Sequence, residues 1–146
     1  MEAGLSLLGQ IKKEFACKEQ DVRAYSPLTL AYIGDVIYDL VIRSVVVERA
    51  NRSANDLHKK TTRYVKAETQ SRMIQALQEE LTEDEAAVYK RGRNAKSYTT
   101  AKNATMGEYR RATGFEALMG FLYLTDQTDR MLFLIKRGIE LAGLEI

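Results

Sequence analysis

The sequence has few of the residues that disulfides and zinc sites require. Its 146 residues include one cysteine, Cys17, and one histidine, His58. A single cysteine excludes an internal disulfide, and one residue of each type cannot build a cysteine–histidine zinc site. These scarcities fit a reducing, cytoplasmic setting. We expect Cys17 to contribute to packing and His58 to be structural or exposed.

Long apolar segments are missing as well. The N-terminus has neither a long apolar core nor a small-residue cleavage signature, so no signal peptide is expected. The longest apolar runs, such as Val45–Val47, are far too short to span a bilayer. The length suits one domain, residues 1–146, and 45% hydrophobic with 29% charged residues is a globular composition. The sequence therefore predicts a soluble protein with no membrane partner.

Strand patterns are almost absent, and nearly every segment has a helical period, which predicts an all-α helical bundle. Ser26 and Pro27 form a typical start for a helix that extends to about Val47. A second helix, capped by Asn55 or Asp56, is expected to continue to Leu81. Three further helices are predicted, from a capping box at Thr82 to about Lys90, from a capping box at Thr105 through Leu124, and from Asp126 to near Gly143.

Charge is nearly balanced but unevenly distributed. The net charge of +2 comes from 22 basic and 20 acidic residues. Between residues 90 and 103 there are five basic residues and no acid. The weak periodicity from Gly92 to Gly107 predicts a long loop, and loops of that length are usually functional or disordered. The five are Lys90, Arg91, Arg93, Lys96 and Lys102. A neutral protein with sorted charges can still present a strong local field, here one suited to nucleic acid.

Two acids interrupt otherwise apolar helices. Asp35 follows Gly34 in the first, and Glu116 lies one turn before Gly120 in the second. A glycine costs about 1 kcal/mol in a helix interior, so Gly34 indicates a close-packed crossing. An ionised carboxylate on a packed face is unfavourable unless it is paired or coordinates a metal. The two acids could converge where their helices cross, or each could pair with an arginine or face water; the residues alone leave these readings about even.

Two motifs resemble those of the ribonuclease III family. The stretch Tyr32–Ile37 resembles its signature helix, and Phe115–Gly120 resembles its second motif, in which the last acidic ligand precedes Ala-Leu. Leu57–Gln70 resembles the intervening helix more loosely. The likeness is closest to the mini-ribonuclease III branch, a bare catalytic domain without a double-stranded-RNA-binding domain, and we expect none in this chain, which ends at Ile146. Residues 55–60 and 90–96 also resemble that branch.

The chain departs from the larger family members at two positions. Ala31 stands four residues before Asp35, where they carry an acid, and Thr113 stands three residues before Glu116, where they carry an aspartate. The site therefore offers fewer oxygens, which Mg²⁺ tolerates because it often keeps several waters and needs only one or two carboxylates. The number of metal ions in the site, one or two, is left open. Asp39, one turn after Asp35, is a further acid whose help is left open.

The resemblance implies a function, a cofactor and partners. It implies a magnesium-dependent, homodimeric endoribonuclease that hydrolyses double-stranded RNA, with Asp35 and Glu116 as catalytic metal ligands. The products would carry a 5′-phosphate and a short 3′ overhang. Tyr32 and Ile33 of the signature helix are the implied dimer seam, although apolar stripes more often belong to a monomer core. The mini branch further implies maturation of the large-subunit (23S) ribosomal RNA precursor, and a ribosomal-protein helper is left open.

With no separate RNA-binding domain expected, the RNA contacts must come from the catalytic domain itself. Duplex RNA is recognised mainly by its shape, through phosphates and 2′-hydroxyls. Two basic sets are predicted to bind RNA: the helical stripe Lys59, Arg63 and Lys66, and the loop set Arg91, Arg93, Asn94 and Lys96. For the stripe, a merely solvated face is an equally good interpretation. Two other functions remain as alternatives, a noncatalytic helical RNA-binding module and a protein-interaction dimer.

Overall fold

Seven α-helices make up the secondary structure of the computed structural model, which describes residues 6–96 and 104–146. They are α1 (Leu7–Glu14), α2 (Pro27–Arg49), α3 (Ala54–Val65), α4 (Ala67–Leu77), α5 (Glu83–Asn94), α6 (Met106–Leu124) and α7 (Thr128–Leu141). Short 3₁₀ turns occupy Val22–Ala24 and Gln78–Glu80, and the described residues contain no strand. The predicted all-α fold is confirmed.

Local sequence explains where most helices begin. The Ser26 hydroxyl accepts a hydrogen bond from the backbone N–H of Thr29, and Pro27 occupies the first turn of α2. Thr82 and Thr105 both form complete capping boxes, with Glu85 and Glu108 respectively, as predicted. These side chains satisfy backbone donors that would otherwise lack a partner at a helix start.

Other boundaries differ from the predicted ones. The cap of α3 is Ser53 rather than Asn55 or Asp56. The helix expected to continue to Leu81 is broken at Lys66, whose extended backbone separates α3 from α4. Asp126 does not cap α7 either: it has a positive φ of 60°, and the N-cap is Gln127, whose side chain makes no capping hydrogen bond to α7.

Helix α5 is longer than predicted, because it ends at Asn94 rather than near Lys90. Gly92 is buried in it, where a Cβ would lie 2.7 Å from the Ala117 Cβ, so packing against α6 extends the helix into the expected loop. The predicted loop therefore starts later than Gly92. Its residues 97–103, including Lys102, lie outside the described part of the chain.

Helix α6 is the centre of the core and contacts α2, α4, α5 and α7. From Ala112 to Leu122 every residue is buried except Glu116. Around α6 pack large apolar side chains such as Tyr38, Ile42, Met73 and Leu134, which are almost completely buried. One carboxylate thus interrupts the most deeply buried stretch of the chain, where burial without a partner would be costly.

The two scarce residues lie at the surface. His58, which was expected to be structural or exposed, is exposed. Cys17 is an exposed free thiol, so the expectation that it contributes to packing is wrong. No helix in residues 6–96 and 104–146 is long and apolar enough to cross a membrane.

Candidate active site

The site is built on a crossing of α2 and α6 at which the two backbones touch. A Cβ on Gly34 would lie 1.7 Å from the carbonyl oxygen of Glu116. A Cβ on Gly120 would lie 2.0 Å from the carbonyl oxygen of Leu30. Real Cβ atoms do not come this close, so both positions require glycine. The prediction of a close-packed glycine in α2 is confirmed, and the partner surface is α6.

This crossing brings Asp35 and Glu116 together. Asp35 follows Gly34 and is exposed, whereas Glu116 is only partly accessible. The carboxyl groups lie within hydrogen-bonding reach of each other. Neither carboxylate forms an ion pair with an arginine or lysine among the described residues. The arginine-paired reading is therefore wrong for both acids within that part of the chain. The two acids converge, and the exposed Asp35 faces water as well.

The surroundings of Glu116 disfavour its ionised form. Burial, followed by the nearby charge of Asp35, raises the pKa of Glu116 to about 8. Two carboxylates side by side without a basic partner repel each other, and a cation between them would remove that repulsion. The donor set is all oxygen, which suits a hard divalent cation such as Mg²⁺ rather than a soft metal.

Among the described residues, no third acid joins the two in a metal-holding group. No group of three or more histidine, cysteine, aspartate or glutamate side chains suited to a metal occurs in the described residues. Ala31 is buried, and the hydroxyl of Thr113 donates to the carbonyl oxygen of Tyr109 in its own helix, 3.0 Å away. Asp39 pairs with Arg43, with 3.0 Å between Oδ2 and Nε. A metal here would be held by two carboxylates and otherwise by water.

One polar residue at the site was missed by the sequence analysis. The Nε2 atom of Gln70, in α4, donates to Oε2 of Glu116 at 3.3 Å and to the carbonyl oxygen of Val65 at 2.7 Å. Gln70 is 2% exposed. A buried glutamine in a polar helix start gives no periodic signal, and only the tertiary contact with α6 identifies it.

The predicted basic stripe is present in part. Lys59 and Arg63 lie one turn apart on α3, and both are exposed. Lys66 is exposed too, but it is the extended residue between α3 and α4 rather than a member of a continuous helical face. All three remain available for phosphate contacts.

The predicted loop set lies mostly on a helix. Arg91, Arg93 and Asn94 belong to the last turns of α5, and only Lys96 lies beyond its end. Arg91 donates to the carbonyl oxygen of Tyr25 at 3.3 Å, and the Arg93 guanidinium lies 5.6 Å from the Tyr89 ring centroid. These contacts fix the positions of side chains that were expected on a loop.

A further arginine, Arg111 of α6, was not among the predicted residues. Its Nε donates to the hydroxyl of the buried Ser71 at 2.6 Å. Among the described residues it forms no ion pair with a carboxylate. Five residues before Glu116, it adds positive charge to the helix that carries one of the two acids.

One face of α2 is apolar and exposed. Tyr32 is 79% exposed and Val36 60%, whereas Ile33 is half-buried and packs toward Gly120. Tyr32 is therefore available as a dimer seam, and Ile33 belongs mainly to the packing between α2 and α6. Large exposed apolar surfaces on a helix often mark association sites.

Comparison with known proteins agrees with this geometry. A family model for the ribonuclease III domain matches residues 28–127. The mini-ribonuclease 3 of Enterococcus faecalis is 48% identical over 126 residues, which cover 85% of this chain and 96% of that protein. The mini-ribonuclease 3 of Clostridium tetani is 46% identical over 124 residues, with coverage of 84% and 82%. A crystal structure of a Fusobacterium nucleatum protein has a TM-score of 0.76 at 30% identity and covers 84% of this chain and 99% of that one.

The chain belongs to the ribonuclease III family. The expected resemblance is confirmed, together with the all-helical fold and the enzyme class: a ribonuclease III-type endoribonuclease, which is a hydrolase acting on double-stranded RNA. Metal dependence is a general property of this family, and a homodimer is consistent with it. The roles of the individual site residues stay predictions.

Proposed function

We propose that this protein cuts double-stranded RNA in the cytoplasm as a magnesium-dependent homodimer, with Asp35 and Glu116 as its metal ligands. One observation carries the proposal: the crossing of α2 and α6 places both carboxyl groups within reach of each other, without a basic ion-pair partner among the described residues. The whole of residues 1–146 is proposed to be one catalytic domain.

The residues present fit Mg²⁺. Two carboxylates are enough, because Mg²⁺ dehydrates reluctantly and keeps several waters. Asp35 and Glu116 would hold the ion, Asp35 from the exposed side and Glu116 from the half-buried side. When bound, Mg²⁺ would polarise the scissile phosphate, activate water and stabilise the leaving oxygen.

The chain's own residues explain how substrate reaches this site. Because Asp35 is exposed, a phosphate of a duplex can approach the carboxylate pair from solvent. The residues predicted to bind RNA then contact neighbouring phosphates and 2′-hydroxyls, which is how proteins recognise the shape of duplex RNA. They are the basic residues Lys59, Arg63, Lys66, Arg91, Arg93 and Lys96, together with the neutral Asn94.

Dimerisation completes the proposed activity. Tyr32 and Val36 lie on the same exposed face of α2 as Asp35, so a two-fold interface there would set two active sites close together. Each site would cut one strand across a minor groove, which gives 5′-phosphates and short 3′ overhangs. An isologous interface is the usual solution for such a homodimer.

Cleavage of a long, perfect RNA duplex by the purified chain tests the proposal. Cleavage is expected with Mg²⁺, not without it, and is expected to be lost in Asp35→Asn and Glu116→Gln. Asp129→Asn is the control, because it removes an exposed carboxylate in the first turn of α7. Cleavage that survives both site substitutions, or that is lost equally in Asp129→Asn, would contradict the assignment.

The same assay distinguishes the alternatives. A noncatalytic RNA-binding module would bind the duplex without cutting it, and a protein-interaction dimer would do neither. Either result with intact wild-type protein would end the enzyme proposal. The neighbouring carboxylates favour the enzyme, because a binding module gains nothing from placing two acids near a phosphate.

The precursor of 23S ribosomal RNA is the proposed substrate, by likeness to the mini-ribonuclease 3 proteins. Depletion of the protein from its own cells should leave unprocessed ends on this RNA, and mapping of the ends checks it. Mature ends after depletion would contradict the substrate. A ribosomal-protein helper would be indicated by faster cleavage of the precursor within a ribonucleoprotein particle than as naked RNA.

A further inference from the structure

Gln70 is the only side chain outside the acidic pair that the described structure shows hydrogen-bonded to either acid. It lies in the first turns of α4 and is 2% exposed. Its Nε2 donates to Oε2 of Glu116 at 3.3 Å and to the carbonyl oxygen of Val65 at 2.7 Å. Three elements therefore meet at one amide: the end of α3, the start of α4 and the acid of α6.

The direction of this amide is fixed by its neighbours. The Val65 carbonyl oxygen, 2.7 Å from Nε2, can only accept hydrogen bonds, so a reversed amide would bring Oε1 against it with no hydrogen between them. In the observed orientation Oε1 is buried and has no hydrogen-bond partner among the residues that the structure describes. Gln70 thus presents a donor to Glu116 and leaves its own acceptor unused.

An unused buried acceptor lowers the stability of a fold. A methionine of similar length would fill the same space without a buried oxygen, although it would leave the Val65 carbonyl without this donor. This gain and this loss of stability oppose each other, so folding alone gives little reason for a glutamine here. The remaining property of Gln70 is its contact with Glu116.

We propose that Gln70 is a positioning residue of the metal site, whose amide N–H holds the Glu116 carboxylate in place beside Asp35. The inference rests on the proposed function, because it takes these two acids as the metal ligands. The inference goes beyond the proposed function because it gives a role to a third residue. By this proposal Gln70 contacts neither RNA nor the metal.

The sparseness of the site explains why a neutral amide suits this role. Ala31 has no polar group, and Thr113 uses its hydroxyl on its own helix, so neither orients Glu116. An arginine or lysine at position 70 would hold Glu116 more strongly but would also repel a divalent cation. A glutamine orients the carboxylate and leaves its negative charge for the metal.

The variant Gln70→Met tests this role, with Gln78→Met as its matched control. Gln78 also donates from Nε2 to a backbone carbonyl, that of Ile74 at 2.8 Å, but it contacts no carboxylate of the site. Mg²⁺ is the probe, measured by calorimetry without RNA and by the Mg²⁺ concentration that gives half-maximal cleavage. Gln70→Met should weaken both about 10- to 100-fold, as loss of a partner behind a metal ligand does. Its Tm should stay within about 5 °C of wild type.

A merely structural Gln70 would give the opposite pattern, a lowered Tm with unchanged Mg²⁺ dependence, and that result would overturn the inference. So would an equal effect of Gln78→Met. If Gln70→Met does not fold, an NMR titration of the wild-type protein with Mg²⁺ tests the role of Gln70 instead. The side-chain amide signals of Gln70 should then move on addition of Mg²⁺ while those of Gln78 stay, and no movement of the Gln70 signals would contradict the role.

The two proposals fail in different ways. Wild-type protein that neither binds Mg²⁺ nor needs it for cleavage would overturn the proposed function and the inference with it. Wild-type protein that needs Mg²⁺ while Gln70→Met needs the same concentration would overturn the inference alone.

Discussion

Gly34 and Glu116 meet backbone to backbone: a Cβ added to Gly34 would lie 1.7 Å from the carbonyl oxygen of Glu116. Because Asp35 is the next residue after Gly34, the contact that packs the helices also fixes the position of one acid relative to the other. The candidate active site and the core are therefore formed by the same crossing, and changes in its packing should affect both stability and catalysis.

Gly34→Ala should separate the two helices. The added methyl meets backbone rather than a flexible side chain, so we expect a loss of about 3 kcal/mol or more in unfolding free energy, together with most of the cleavage. Gly107→Ala is the control, since its methyl would meet only the flexible guanidinium of Arg111, at 3.2 Å. Urea denaturation of both variants checks this. Equal stability of the two variants would contradict the crossing.

Mg²⁺ affinity should depend on pH through Glu116. Its pKa is raised to about 8 by burial and by Asp35, and a metal binds only the ionised carboxylate. Below pH 8 the ion must displace a proton, so apparent affinity should fall about tenfold for each pH unit below that value and be constant above it. Calorimetry from pH 6 to pH 9 measures this dependence. A flat profile would show that Glu116 is already ionised or is not a ligand.

Without metal, the same group should make stability fall as pH rises. The folded protein keeps the Glu116 proton up to about pH 8, whereas the unfolded chain releases it near its ordinary value of 4.5. The native state therefore binds more protons between these values, and the unfolding free energy decreases across that window. In EDTA, the Tm of wild type should decline relative to that of Glu116→Gln between pH 5 and pH 8. Parallel curves would contradict the raised pKa.

Glu85→Gln should destabilise the fold far from the active site. The Glu85 carboxylate is buried and paired with Arg130, at 2.8 Å from Oε2 to Nε. Burial opposes its charge, but the Arg130 and Thr82 hydrogen bonds outweigh it and lower the pKa of Glu85. We expect a loss of about 2 to 4 kcal/mol at neutral pH from breaking such a pair.

The effect of Glu85→Gln should shrink in acid. A carboxyl whose pKa is lowered by folding stabilises the fold above its ordinary pKa, and this contribution is lost as the pH falls through the folded value. Asp84→Asn, which breaks the exposed pair with Arg23, is the control and should leave the Tm unchanged. Thermal melts at pH 7 and pH 3 measure both variants. A deficit that is the same at the two pH values would contradict the ionic explanation.

Tyr32→Glu should convert the proposed dimer to monomers. The ring is 79% exposed in the single chain, so a charge there is harmless to the monomer but unfavourable in an apolar interface. Light scattering should then give a mass near 16.6 kDa, with loss of cleavage. Phe15→Glu changes an aromatic side chain that is 75% exposed elsewhere and serves as the control. Dissociation by Phe15→Glu alone would place the interface on another surface.

The salt dependence of duplex binding should show which basic residues contact phosphates. Each lost phosphate contact reduces the slope of log affinity against log salt by about 1, because fewer counterions are released. Lys59→Ala and Arg93→Ala should each show this reduction in a cleavage-inactive Asp35→Asn background. Lys136→Ala, an exposed lysine of α7, is the control. Unchanged slopes for the first two would remove them from the RNA surface.

The sequence was enough to predict the crossing but not its surroundings. Gly34 and Asp35 stand out because they contradict the apolar helix around them, and a local contradiction of this kind is visible without a structure. The break at Lys66 is not visible in this way, since the residue before it and the residue after it both suit a helix. The position of Gln70 depends on that break.

Helix ends were the least predictable feature, because packing decides them. The weak periodicity after Lys90 predicted a loop, yet the buried Gly92 packs closely against Ala117 and keeps the chain helical to Asn94. Cys17 was expected inside and lies outside, since a single cysteine carries no pattern from which its burial could be inferred.

The Glu85–Arg130 pair also has a mechanical consequence for α5. It clamps the first turn of α5 to α7, and the last turns of the same helix carry Arg91 and Arg93. Glu85 and Arg93 are about 12 Å apart along the axis, and a tilt of roughly 5° at the clamp would move the far end by about 1 Å. Hydrogen bonds to phosphate tolerate little more than a few tenths of an ångström. For the RNA contacts proposed for Arg91 and Arg93, the buried Glu85–Arg130 pair is therefore one of the anchors that set their distance from a phosphate, together with the packing of Gly92 on Ala117.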